Sequence, residues 1–152
     1  MIAALPAMLG FLPERSLAAA VLCAVEGEPG KALIDLVVRF DLYHPDSGRP
    51  CDPETLAAAA ARICARPEVV GILAVVIDDT ARMPESAPPH SHRVLADLER
   101  RLAAAGVPVR AAWAVAVIAA GQPWWSLRGP HDRRIRPRPR LLPCGFQPGA
   151  QR

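Results

Sequence analysis

Apolar and polar positions along the chain alternate between two rhythms. Leu17–Val25 and Ala32–Phe40 are apolar runs of strand length, and the turn-forming stretch Glu26-Gly27-Glu28-Pro29-Gly30 lies between them. Two such runs on so short a connection predict an antiparallel hairpin. Val69–Ile77 is apolar almost without interruption, as in strands covered on both faces. Val109–Ile118 reads as a fourth strand, and Trp124–Leu127 begins a fifth after the turn Ala119–Pro123. The period lengthens in two places. Glu54–Ala65 is alanine-rich, preceded by the capping pair Asp52-Pro53, and would present Leu56, Ala60, Ile63 and Cys64 on one side. Within Ser91–Ala105, Val94, Leu95, Leu98 and Leu102 share one side, with Asp97, Glu99, Arg100 and Arg101 opposite. There Ser91 is the expected cap, and Gly106 and Pro108 end the helix. A short helix over Ile2–Leu9, stopped by Gly10, opens the chain.

The order helix-β-β-α-β-α-β-β predicts an α/β domain. Its mixed sheet would carry antiparallel hairpins at both ends of the chain order, with helices on its faces. Val69–Ile77 and Ala32–Phe40 are the expected central strands. The length, 152 residues, suits one core.

Charge divides the chain where hydropathy does not. Residues 1–128 carry 12 basic and 14 acidic side chains, a net of −2, whereas residues 129–152 carry six arginines and one aspartate, a net of +5. The expected organisation is therefore a domain over 1–128 and an Arg/Pro-rich, disordered tail over 129–152. The longest apolar runs are about half the roughly 20 residues of a membrane-crossing helix. The N-terminal stretch lacks the basic start of a signal peptide. The four cysteines, Cys23, Cys51, Cys64 and Cys144, have no zinc-site spacing. These features place the chain in the cytoplasm, away from membranes, with inert thiols.

Ala4-Leu5-Pro6-Ala7-Met8-Leu9-Gly10-Phe11-Leu12-Pro13-Glu14-Arg15-Ser16-Leu17 resembles the opening signature of an actinobacterial family known as domain of unknown function 4192. Val37–Leu42, the strand ending in Asp78-Asp79, and Gly121–Leu127 with its paired tryptophans are similar to later parts of that family. The resemblance covers residues 2–128. It implies a cytoplasmic α/β domain and brings no activity, substrate or catalytic residue. Family members continue with a Gly-rich segment containing Pro-Asp-Pro, from which this chain departs after Gly129. Suitable GC-rich codons for His131–Pro143, read one nucleotide later, give such a segment. The tail after Pro130 is therefore expected to be a frameshifted reading of a longer domain.

Chemistry-bearing residues are few. Asp41, Asp78 and Asp79 fall at the predicted carboxyl ends of strands two and three, the edge where open α/β sheets take ligands. Together they could hold a divalent cation such as Mg²⁺ or Mn²⁺. His90 and His92 form an HxH pair ahead of the second long helix and are candidate transition-metal ligands. The bland reading makes all five solvated loop residues. No cofactor other than such a metal is indicated. Ser16 and Ser126 lack a nucleophile elbow, and Gly27–Lys31 lacks the spacing of a phosphate loop. Adjacent strand residues face opposite sides, so at most one of Trp124 and Trp125 should enter the core squarely. The other is a candidate for an interaction surface. The tail has charge for phosphate contacts but no interleaved aromatics for stacking on bases.

The weak catalytic signals point to a non-enzymatic binding or interaction domain, with a homo-oligomer among its open forms. A metal-dependent enzyme acting on a phosphate ester or nucleotide is the alternative that the aspartates motivate. Nucleic-acid binding through the tail is the alternative that the arginines motivate.

Overall fold

A computed structural model describes residues 1–64, 66–79 and 89–128. The tail, Cys144 and most of the Pro-rich loop after Asp79 lie outside the described residues. Chain order is a 3-10 turn (Ile2–Ala4), α1 (Leu5–Leu9), β1 (Ser16–Ala24), β2 (Ala32–Asp41), α2 (Pro53–Cys64), β3 (Val69–Ile77), α3 (Pro89–Ala104), β4 (Val109–Val115) and β5 (Trp124–Ser126). The fold is α/β, with one mixed five-stranded sheet in the order β2-β1-β3-β4-β5.

Both expected hairpins form: β1 pairs antiparallel with β2, and β4 with β5. The crossover through α3 makes β3 and β4 parallel. The crossover through α2 does not join neighbours, because β1 inserts between β2 and β3 and pairs antiparallel with both. The centre of the sheet is therefore β1 and β3. This corrects the placing of Ala32–Phe40 at the centre. That segment is an edge strand, with Leu33 and Leu36 exposed. Hydropathy misleads here because β2 has an apolar neighbour on one side only, while its own aliphatics are as dense as those of a buried strand. The small side chains of β1 (Ala18, Ala19, Ala20) are what admit close cover on both faces.

One face carries the larger core. Leu17, Ala19 and Val21 of β1, Ile72, Ala74 and Val76 of β3, and Ala112 and Ala114 of β4 meet Ala57, Ala60 and Cys64 of α2 and Val94, Leu95, Leu98 and Leu102 of α3. The α3 side chains are those that the helical period selects. On α2, Ala57 is buried instead of Leu56, which packs at the margin. The start of α2 is fixed by Asp52, whose Oδ2 accepts from the Thr55 amide at 2.8 Å and the Thr55 hydroxyl at 2.7 Å. Helix α3 begins two residues earlier than expected, so Ser91 is not its cap. It lies buried in the first turn, facing the end of β3.

The opposite face is apolar too, yet thinly covered by the described residues. Ala18, Val75, Ile77 and Val115 are buried there beneath Leu5, with Ile2, Val37, Trp113, Ile118 and Trp124 partly exposed around them. Register places Leu22, Ile34 and Leu73 on the same side, and each remains partly exposed. Gly10, at φ 80°, ends α1 after barely more than one turn, so the cover is short.

Candidate functional site

Two places bring chemistry-bearing residues together. The first is the sheet edge at the carboxyl end of β3. Asp78 is fully buried; its Oδ2 accepts from the Tyr43 hydroxyl at 2.8 Å and from the Ser91 hydroxyl at 3.4 Å. The Tyr43 ring is flanked by the Arg15 guanidinium, 4.3 Å from its centroid, and by the His90 ring at 5.5 Å. His90 Nε2 lies 2.9 Å from the Leu42 carbonyl oxygen. A carbonyl can only accept, so Nε2 carries the proton and donates. Arg15 also reaches Asp79 at 3.5 Å. These contacts tie four chain segments together: the turn before β1, the loop after β2, the end of β3 and the first turn of α3.

The three candidate aspartates thus have different partners. Asp41 ends β2 and pairs with Arg39, Asp78 is held by hydroxyls, and Asp79 is exposed beside Arg15. His90 and His92 lie two apart on a helix, which sends them to different sides: His90 is partly buried against Leu42, while His92 is exposed. Among the described residues, no three of His, Cys, Asp and Glu form a group that could hold a metal ion. A shallow recess beside this edge, of about 370 Å³, is lined by Arg15, Arg39, Asp41 and Tyr43 among others, with its arginines already answered by carboxylates. Among the thiols, burial pushes Cys23, Cys51 and Cys64 up from their ordinary range, with Asp35 adding to the effect at Cys23. All three are unpaired.

The second place is a cavity of about 600 Å³ on the thinly covered face, between the N-terminal helical segment and the β4–β5 hairpin. Its walls are Ile2, Pro6, Trp113, Val115, Ile118 and Trp124, with the turn Ala119–Gln122 closing one side. The hairpin register explains the pair of indoles. Trp113 lies opposite Ser126, and Trp124 opposite Val115, so the two tryptophans are diagonal neighbours on one face. Trp125 points the other way and is buried in the larger core; its Nε1 meets no acceptor among the described residues.

Sequence reasoning reached Trp124 but not its partner. Trp113 lies eleven positions earlier, and only the hairpin register shows that the two share a face. Tyr43 and Arg15 were missed for the same reason, since nothing local links them to Asp78. The model of the domain of unknown function 4192 family matches residues 1–145. The chain belongs to this family. The match extends beyond the residue-2-to-128 resemblance and takes in part of the stretch set apart as a tail. No curated protein and no solved structure matches the chain. Among the described residues of this family member, no helix is long and apolar enough to cross a membrane.

Proposed function

We propose that this family member is a binding domain rather than an enzyme, and that its working surface is the apolar face bearing Trp113 and Trp124. The observation that carries the reading is the cavity of about 600 Å³ on that face. Ligand sites are usually concave, mainly apolar and of this order of size, a few hundred to about 1,000 Å³. The polar edge around Asp78 favours a structural role, because its groups face one another. Tyr43, Ser91, Arg15 and His90 each have a partner inside the cluster or on the backbone. A hydrolytic site for a phosphate ester would need carboxylates converging on one metal, and among the described residues no three candidate ligands form such a group. We place the domain in the cytoplasm. The three unpaired cysteines suit a reducing compartment.

A thermal-shift screen tests the reading. The screen compares apolar compounds with nucleotides and phosphate esters supplied with Mg²⁺ or Mn²⁺. Ligands that bind only the folded chain raise its Tm. Apolar compounds should raise it, Trp124→Ala should remove the effect, and Asp78→Asn should leave it. Stabilisation by nucleotides plus metal, lost in Asp78→Asn, would overturn the proposal in favour of the phosphate-ester enzyme.

A further inference from the structure

We infer that the cavity between the N-terminal helical segment and the β4–β5 hairpin takes an uncharged, ring-containing small molecule. The inference rests on the binding-domain reading and goes further by naming the ligand class. Three features of the walls lead to it.

The first is charge. Among the described residues every lining side chain is uncharged, and the hydrogen-bonding ones are the amide of Gln122 and the indole N–H groups of Trp113 and Trp124. Met1, which also lines the space, is exposed. A charged group entering this space would leave water without a side-chain counter-ion, which is expensive. The buried part of the ligand is therefore neutral.

The second is shape and surface. Trp113 and Trp124 are diagonal neighbours across the hairpin, and each remains partly exposed. Aromatic faces pair best with other rings, offset or edge-on. Val115 and Ile118 complete a wall of flat and aliphatic surface, which suits a planar ring better than a flexible chain.

The third is the setting of polar groups. The amide of Gln122 and the backbone of Ala119–Gln122 line the cavity together with the aliphatic and indole side chains. One or two hydrogen-bonding atoms on the ligand would meet them. The amide of Gln122 can both donate and accept.

Among the described residues the cavity offers no carboxylate, so the six arginines that residues 129–152 carry against one aspartate would find no counter-ion there.

Two fluorescent probes that share a ring system separate the claims: N-phenyl-1-naphthylamine, which is neutral, and 1-anilinonaphthalene-8-sulfonate, which is anionic. Both are titrated into the full chain, with energy transfer from tryptophan as a second readout. The neutral probe should saturate at one per chain, and bind at least tenfold more tightly than the anionic one. Trp124→Ala and Ile118→Asp should each weaken it at least tenfold, with circular dichroism confirming that the variants fold. Equal or tighter binding of the sulfonate, weakened by the same variants, would overturn the neutral-ligand inference and leave the binding-domain reading standing. If neither probe binds, both fall. Two findings alongside such silence would name the true occupant. Light scattering that shows a dimer dissociated by Trp124→Ala would make the face an interface between copies. Probe binding gained in Leu141→Arg/Leu142→Arg would mean that the chain's own C-terminal residues fill the cavity.

Discussion

At the scale of single residues, close approach and full burial decide what the chain tolerates. Leu98 is fully buried between α3 and the sheet. Leu98→Ala should cost about 2–5 kcal/mol in denaturant unfolding, and a loss below about 0.5 kcal/mol would show that the α3 face is not packed as described. Gly71 is required by its neighbours. A Cβ there would lie 2.8 Å from Arg110 Cγ and 3.0 Å from the Pro108 carbonyl oxygen. The arginine can swing away, but the carbonyl cannot, because it accepts from the Ile72 amide at the start of the β3–β4 pairing. Gly71→Ala should therefore destabilise by about 1–3 kcal/mol, and an unchanged denaturation midpoint would contradict that packing. Asp52 offers a pH test. The Thr55 hydroxyl and then the Thr55 amide hold its carboxyl below the ordinary aspartate range. A group with a depressed folded pKa contributes fully above its unfolded pKa, and that contribution disappears as pH falls through the folded value. The Tm of Asp52→Asn should lie below that of the unmodified chain at neutral pH and converge with it in acid. A gap that persists at the lowest pH would mean that the charge is not what matters.

At the scale of elements, the hydrogen-bond ladder ranks the strands. β1 and β3 are paired on both sides, while β2 is paired on one. Amide exchange should be slowest in Ala18–Val21 and Ile72–Ile77 and measurably faster along Ala32–Asp41. Slower exchange in β2 than in β1 would contradict the strand order. The same elements show what the sequence made legible. Element existence followed from period: the alternation of apolar runs and turn residues marks each strand, and Val94, Leu98 and Leu102 mark the buried side of α3. Strand order did not follow, because period describes which residues a strand buries and not which strand it meets. Ala32–Phe40 is as aliphatic as Val69–Ile77, and the insertion of β1 between them depends on pairing across long separations. The site was legible only in part for the same reason. The alternation along Trp124-Trp125 shows that one indole faces the core. Its companion Trp113 requires the register Trp113 to Ser126. Asp78 stood out as a carboxylate after a strand, but its burial under Tyr43 and Ser91 depends on two distant segments.

At the scale of the whole molecule, the two faces of the sheet divide the work. The face under α2 and α3 is filled by the larger core, and the contacts of Asp78, Tyr43, Arg15 and His90 lock the loops at its end. The other face is apolar but, among the described residues, takes its helical cover from the short segment bearing Ile2, Leu5 and Pro6, leaving the indoles of Trp113 and Trp124 to line a cavity. Burial of the remaining apolar surface would be favourable, at about 25 cal/mol for each Å² removed from water. The most direct measurement of this division is an amide and indole chemical-shift map of the full chain titrated with N-phenyl-1-naphthylamine. The shifts should concentrate at the indole N–H groups of Trp113 and Trp124 and the amides of Val115 and Ile118. The amides of Tyr43, Asp78 and His90 and the Trp125 indole should stay unmoved. Shifts centred on Asp78 and Tyr43, with the cavity residues silent, would contradict the account.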